Sequence, residues 1–108
     1  MANTYKVLGQ SNPAIATQAN LYVVPPATSA VCSTLVICNQ GLSTTYRIAV
    51  RPAGTTLTST HYLVYDSAIN STDSVFLTMG ITLATTDIVA VWANTANVSF
   101  SLFGSEIT

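Results

Sequence analysis

One histidine, three aspartates and many serines are the side chains of this sequence that could carry acid–base or nucleophilic chemistry. His61, Asp66 and a serine could in principle form a triad. The sequence lacks the G-x-S-x-G turn that exposes a nucleophilic serine. The aspartates, Asp66, Asp73 and Asp87, fall at the ends of predicted strands or in turns, where this residue usually caps the backbone. We therefore predict no catalytic residues and no enzymatic activity.

The two cysteines do not have the spacing of a metal site. Cys32 and Cys38 lie within one predicted strand, which would separate them by roughly 20 Å at about 3.3 Å per residue. A disulfide needs Cα atoms within about 7 Å, so we expect two small apolar side chains that do not pair. With one histidine and neither a C-x-x-C motif nor a glycine-rich phosphate loop, we expect no metal and no cofactor.

Two of the three basic residues share one face of a predicted strand. Arg47 and Arg51 are four positions apart, which places them on the same side of the strand at a distance of roughly 13 Å. They either lie on a solvated outer face or form an anchor pair for acidic groups of a neighbouring protein, since arginine is favoured in interface ion pairs.

Aromatic residues recur along the predicted strands, and five of them are candidates for contacts. These are Tyr22, Tyr46, Tyr62, Tyr65 and Trp92. Period-two alternation puts Tyr62 and Tyr65 on opposite faces, so their strand exposes a tyrosine or covers it in a contact. Aromatic residues in strands usually belong to a core or an interface, and a platform that stacks sugar rings is the alternative. With the two arginines, Tyr62, Tyr65 and Trp92 are our candidate interface residues.

Short β-strands must position these side chains, because helix signals are almost absent. Strongly β-forming segments alternate with turn residues such as Pro25-Pro26 and Asn39-Gln40-Gly41. The predicted strands are Leu21–Val24, Ala30–Cys38, Thr44–Arg51, His61–Asp66, Ser74–Met79, Ile88–Ala93 and Asn97–Phe103. The sequence predicts an all-β fold, a single antiparallel β-sandwich of about seven or eight strands, and both an immunoglobulin-like Greek key and a jelly roll fit this count.

The first nineteen residues have weak periodicity. We expect an extended N-terminal arm over residues 1–19, with a short strand possible at Tyr5–Leu8, and a β-sandwich domain over residues 20–108. The arm is either a flexible tail or a segment that adds backbone hydrogen bonds to a neighbour. Ile88–Ala93 is apolar on both faces, so both faces should be covered, and a second subunit is one source of that cover.

Charged residues make up only 6% of the 108 residues and the net charge is −1, whereas soluble domains carry roughly 25% charged residues. Three basic residues are too few for binding to a phosphate backbone, so no nucleic-acid partner is expected. Nor does the sequence contain an apolar run of the length needed for a membrane span, a basic amphipathic stretch or a signal-peptide pattern. A charge-poor surface does little to keep copies apart. These features favour a protein that is made in a cytoplasm and built into a permanent assembly.

Six segments of strand and turn residues follow one another in a recognisable order. They are LYVVP at Leu21–Pro25, LVICNQG at Leu35–Gly41, YRIAVRPAG at Tyr46–Gly54, HYLVYD at His61–Asp66, GITLATTD at Gly80–Asp87 and VSFSLFGSEI at Val98–Ile107. Through these segments the sequence resembles the small all-β virion structural proteins of tailed bacteriophages. These are signatures of strands and turns, and none is a chemical motif.

The resemblance implies a virion component present in many copies that associates with itself, a trimer being one option, and docks on the major capsid protein or another virion structural protein. A capsid decoration (cement) protein is the first expectation. A neck, tail or fibre-associated domain is the second, and a carbohydrate-binding module for host attachment is the third.

Overall fold

The computed structural model describes residues 2–108 and contains eight β-strands in two antiparallel sheets. The strands are β1 (Asn3–Ser11), β2 (Ala19–Val23), β3 (Ser29–Asn39), β4 (Thr44–Arg51), β5 (Tyr62–Ile69), β6 (Ser74–Leu83), β7 (Ile88–Ala93) and β8 (Val98–Ile107). Two short 3₁₀ turns, Pro52–Gly54 and Ser59–His61, lie between β4 and β5. Within the described part of the chain, no helix is long and apolar enough to cross a bilayer. The predicted all-β sandwich is confirmed.

The strand order distinguishes between the two predicted topologies. The first sheet has the order β1-β8-β3-β6 and the second β2-β7-β4-β5. Four antiparallel pairs therefore nest inside one another along the chain: β1 with β8, β2 with β7, β3 with β6 and β4 with β5. This is the arrangement of a jelly roll, in which a long hairpin wraps into two sheets.

The core lies between the two sheets and follows from alternation along the strands. Leu35 and Ile37 of β3 point inward with Phe100 and Leu102 of β8, and all four side chains are fully buried. The second sheet contributes the inward side chains of β4 and β7, Ile48 among them. Because the intervening residues point away from the core, each sheet presents a separate outer face.

Residues 3–11 belong to the sandwich, which corrects the expected N-terminal arm. β1 pairs with β8 from Asn3 opposite Ile107 to Ser11 opposite Phe100. Leu8 of β1 is buried in the core. The described domain thus begins at β1 rather than at residue 20, and β1 forms its backbone hydrogen bonds to β8 within the chain. Met1, the first residue of the expected arm, lies outside the described residues.

Two β-bulges interrupt the first sheet at the same height. The register shifts between Val7 and Gly9 in β1 and between Cys32 and Thr34 in β3. At this level the backbones of separate segments approach so closely that a Cβ atom on Gly104 would collide with the carbonyl oxygen of Val31. A side chain at Gly104 is therefore excluded by the packing of the backbone.

Asn39 connects two loops at one end of the sandwich. Its side chain is 1% exposed, and its Nδ2 donates to the carbonyl oxygens of Leu42 at 2.8 Å and Asn70 at 3.0 Å. Its Oδ1 accepts from the backbone N–H of Gly41 at 3.0 Å. One buried amide thus joins the β3–β4 loop to the β5–β6 loop and satisfies backbone groups of both.

Candidate functional site

Three adjacent strands of the second sheet bring four of the predicted interface residues together on its outer face. Arg47 of β4 is in direct register with Trp92 of β7. Its guanidinium carbon lies 3.9 Å from the centroid of the Trp92 ring and 4.3 Å from that of Tyr65 on β5. Tyr65 packs edge-on against Tyr62, with centroids 4.8 Å apart. We call Arg47, Tyr62, Tyr65, Asp66 and Trp92 the aromatic cluster.

An ion pair holds the centre of the aromatic cluster. Arg47 Nε donates to Asp66 Oδ1 at 2.6 Å and Nη2 donates to Oδ2 at 3.2 Å. The hydrogen bond to Asp66 raises the pKa of Arg47 further, and the same bond lowers the pKa of Asp66. Asp66 has φ of 52°, a left-handed conformation that aspartate tolerates better than most residues. The paired charges cancel, so the cluster is a polar but neutral surface.

The contact between the two tyrosines corrects the simple alternation expected for their strand. The β4–β5 register shifts twice between Tyr46 and Ala49. The shift between Ile48 and Ala49 sets Val64 and Tyr62, two positions apart on β5, opposite consecutive residues of β4. This bulge at Leu63 breaks period two, so Tyr62 lies beside Ala49 on the outer face, together with Tyr65 rather than opposite it. Tyr65 is 59% exposed, as expected of a strand that presents a tyrosine.

A cleft of about 250 Å³ lies beside Trp92. Ala49 and Ala90, opposite each other on β4 and β7, line it on the sheet side. They are nearly fully buried although they lie outside the main core. Ala16 from the β1–β2 connection and Leu57 from the β4–β5 connection also line it. The chain's own connections thus contribute cover over the outer face of β7 at this point.

Arg51 shares this outer face but stands apart from the cluster. Its Nη2 donates to Asn20 Oδ1 at 2.9 Å and its Nη1 donates to the carbonyl oxygen of Thr55 at 3.2 Å. Both arginines are therefore engaged within the chain. Tyr22 and Tyr46, the other aromatic candidates, are buried in the core.

The groups considered for catalysis have separate partners. His61 Nδ1 accepts from the backbone N–H of Thr58 at 3.1 Å, and both oxygens of Asp66 are engaged by Arg47. Asp87 caps backbone N–H groups of Ala53 and Ala84, which confirms the predicted role of this aspartate in a turn. Residues 2–108 contain no group of three or more His, Cys, Asp or Glu side chains placed to hold a metal.

The first sheet presents an outer face that sequence reasoning did not single out. Three cross-strand rows of outward-pointing residues cover it. They are Tyr5–Ser105–Val31–Thr82, Val7–Phe103–Thr34–Thr78 and Gln10–Ser101–Val36–Phe76. No member of these rows is charged, and Tyr5 and Phe76 are 81% and 70% exposed. We call this surface the uncharged face.

Lys6 and Glu106, the charged residues of the first sheet, pair beside the uncharged face, where Lys6 lines the same depression as Tyr5 and Val7. Lys6 Nζ lies 3.2 Å from Glu106 Oε1. The other carboxylate oxygen accepts from the hydroxyl of Tyr22 at 2.6 Å, across the gap between the two sheets. The hydrogen bond from Tyr22, assisted by Lys6, lowers the pKa of Glu106, whereas burial and that carboxylate raise the pKa of Tyr22.

One sequence signal could have identified the uncharged face. Along Ser74–Leu83, alternation puts the apolar residues Val75, Leu77 and Met79 on the face toward the core. Phe76, a large aromatic residue, falls on the opposite, outward face. An aromatic residue among outward-pointing serine and threonine residues is of a type enriched in protein interfaces.

Comparison with protein-family models, with curated proteins and with solved structures finds no match to this chain.

Proposed function

We propose that this protein is a non-enzymatic structural component of a bacteriophage virion, and in the first instance a capsid decoration protein that self-associates through its uncharged face. The uncharged face is the observation that carries the proposal. The sequence resemblance supports the virion assignment. The jelly-roll order is compatible with it, because this architecture occurs in viral capsid proteins, as it also does in lectins.

The composition of the uncharged face favours a second copy of the same chain as its partner. Identical faces without charges meet without like-charge repulsion, and rows of Ser, Thr, Val and aromatic side chains can pack against one another. Four strands at about 4.8 Å and about ten residues at 3.3 Å cover on the order of 600 Å². This is close to the roughly 800 Å² that each partner contributes to a standard interface.

The edge of the first sheet adds a second route for association. β6 is ten residues long and carries no charge and no proline. It is an edge strand, which pairs with β3 on one side and with no strand of the described residues on the other. Proteins that remain monomeric usually protect such an edge with lysine, proline or a covering segment. An unprotected edge next to an uncharged face is expected in a chain whose assembly covers both.

Docking on an assembled head would stabilise the head by mass action, because a protein that binds only the shell shifts the equilibrium toward the shell. Because Arg47 and Arg51 both bind partners within the chain, we place the proposed contacts on the uncharged face rather than on these two arginines. A neck, tail or fibre position is the alternative within the same class. Copy number separates the two, since a shell requires hundreds of copies and a neck or tail tip about a dozen.

Light scattering after size exclusion tests the proposal. The wild-type protein should elute as a discrete oligomer, and the double variant Tyr5→Lys/Phe76→Lys should elute as an 11.3 kDa monomer with unchanged far-UV circular dichroism. Leu42→Lys is the matched control, because Leu42 is 80% exposed and lies outside the uncharged face. A monomeric wild type at high concentration, or an oligomer unaffected by the double variant, would contradict self-association through this face.

Purified phage heads test the virion assignment itself. Wild-type protein should bind heads at saturable copy number and raise the temperature at which they release DNA. Heads that neither bind the protein nor gain heat resistance would refute the decoration role, and binding at about a dozen copies per particle would favour the neck or tail.

A further inference from the structure

We infer that the cleft beside Trp92 is a binding site for a neutral saccharide. This site lies on the outer face of the second sheet, opposite the uncharged face, so both surfaces can be used at once. The inference goes beyond the proposed assembly and does not depend on it.

The lining of the cleft fits a sugar ring in both shape and polarity. Ala49 and Ala90 form a narrow, nearly buried floor, and Trp92 and Tyr62 supply aromatic surface at the side, with the Arg47 guanidinium stacked on one face of the Trp92 ring. Aromatic faces carry negative potential and attract the weakly positive C–H groups of a sugar ring. At about 250 Å³ the cleft is smaller than the roughly 300–1,000 Å³ of sites for drug-sized ligands, which favours one ring rather than a large ligand.

The polar groups around the cleft fit hydroxyl ligands better than ions. Arg47 has five N–H donors, and two of its nitrogens are committed to Asp66. The remaining N–H groups can donate to a hydroxyl, and Gln18, which also lines the cleft, can both donate and accept. Since Asp66 neutralises Arg47, an anionic ligand such as a phosphate would gain little net attraction.

A second depression continues from the first and indicates space for a longer chain. Tyr62 and Leu57 line both depressions, and the second also includes Tyr65, Thr58 and Ser59. Tyr65 presents an exposed ring there, and the two hydroxyl side chains supply donors and acceptors. We therefore assign the first depression to one ring and the second to the adjoining ring of an oligosaccharide.

Trp92 is the sole tryptophan of the chain and reports on the cleft directly. The full-length protein would be titrated with glucose, galactose, mannose and N-acetylglucosamine, and with their di- to tetrasaccharides, while Trp92 fluorescence and its indole N–H signal in NMR spectra are followed. We expect a saturable change with at least one neutral sugar, at a millimolar or lower Kd. An oligosaccharide should bind more tightly than its monosaccharide, and sialic acid should bind more weakly than the neutral ligand.

Variants separate this site from a merely structural aromatic cluster. Tyr62→Ala should weaken binding by about tenfold, which corresponds to the loss of one aromatic contact. Gln18→Ala should weaken it less, and Phe76→Ser on the opposite face is the matched control that should bind like wild type. No saturable response to any saccharide in the panel would overturn the inference. Equal Trp92 fluorescence responses from wild type and Tyr62→Ala would also overturn it. A Trp92 response to a protein partner, with none to any saccharide, would overturn it as well.

The outcome is independent of the assembly test. A monomer that binds a sugar would support the cleft and refute self-association. An oligomer that ignores every sugar would do the reverse.

Discussion

Replacement of Asn39 by alanine or aspartate should destabilise the fold in two distinguishable ways. The Asn39 amide is buried, donates to the carbonyl oxygens of Leu42 and Asn70, and accepts from the N–H of Gly41. Alanine removes all three bonds and leaves the backbone groups without these partners. Aspartate keeps the acceptor for Gly41 but sets a carboxylate oxygen against two carbonyl oxygens.

The expected magnitude follows from the bonds that are lost. A typical internal hydrogen bond contributes about 0.5–1.5 kcal/mol, and a buried group left without a partner costs about 1–3 kcal/mol. For Asn39→Ala we expect a loss of about 2–4 kcal/mol in the free energy of unfolding. In a domain of this size that lowers Tm by roughly 10–30 °C.

The aspartate variant should show the opposite pH dependence to an ordinary surface carboxylate. Burial and two facing carbonyl oxygens raise the pKa of the introduced carboxyl in the folded state above its value in the unfolded chain. Asn39→Asp should therefore approach wild-type stability below the ordinary aspartate pKa of about 4, where the group is protonated in both states. It should lose stability progressively as pH rises above that value toward the raised pKa of the folded state.

Urea denaturation at pH 4 and pH 7, at one fixed protomer concentration, measures both effects. Asn94→Asp is the control, because Asn94 is exposed in the β7–β8 turn and the charge change is the same. An Asn39→Ala free energy within about 1 kcal/mol of wild type, or an Asn39→Asp variant no more pH-dependent than the control, would refute the role of this amide.

Gly104→Ala should strongly lower the urea midpoint, because the added Cβ would meet the backbone of β3. Gly80→Ala is the control, since Gly80 has open space around it and the substitution should change stability little. Equal changes in urea midpoint for the two variants would contradict the close backbone approach at Gly104. Tyr22→Phe should cost about 1–3 kcal/mol at pH 7. The Tyr22 hydrogen bond lowers the pKa of Glu106. The stability that this bond contributes is therefore complete above the ordinary glutamate pKa and is lost as pH falls through the lowered pKa of the folded state. A stability difference between Tyr22→Phe and wild type that persists in strong acid would contradict this reasoning. The Cys32 side chain is fully buried, and burial raises its pKa to about 11, so its thiol should react with iodoacetamide at pH 8 only after unfolding. Peptide mapping by mass spectrometry separates it from Cys38, and labelling of Cys32 in the folded protein would contradict the prediction.

The positions of the strands were predictable because apolar and polar residues alternate between clear turn signals. Thr44–Arg51 and Ile88–Ala93 have the predicted bounds in the structure. The other predicted strands are extended or shifted by a few residues, because backbone pairing continues past the last alternating residue. β1 was missed at full length because Asn3–Ser11 presents few inward apolar side chains, and its strand conformation depends on hydrogen bonds to β8.

The candidate site was predictable in its residue types but not in its geometry. Arg47, Tyr62, Tyr65 and Trp92 were recognisable as aromatic and basic side chains on strands. Their convergence depends on the direct register of Arg47 with Trp92 and on the two register shifts between β4 and β5, and neither is encoded in local spacing. Period-two alternation predicts the two tyrosines on opposite faces, and this prediction is wrong because alternation fails at a bulge.

The sequence by itself determined the class of the fold and the scarcity of charge, because alternation, turn residues and composition are local properties. Only the tertiary structure decided the nesting of the strands into a jelly roll, the burial of Asn39 and the incorporation of residues 3–11. It also decided the separation of an uncharged face from an aromatic cleft on opposite sides. Each of these depends on which strands pair across long distances in the chain, and pairing of that kind is decided by the packing of the whole core.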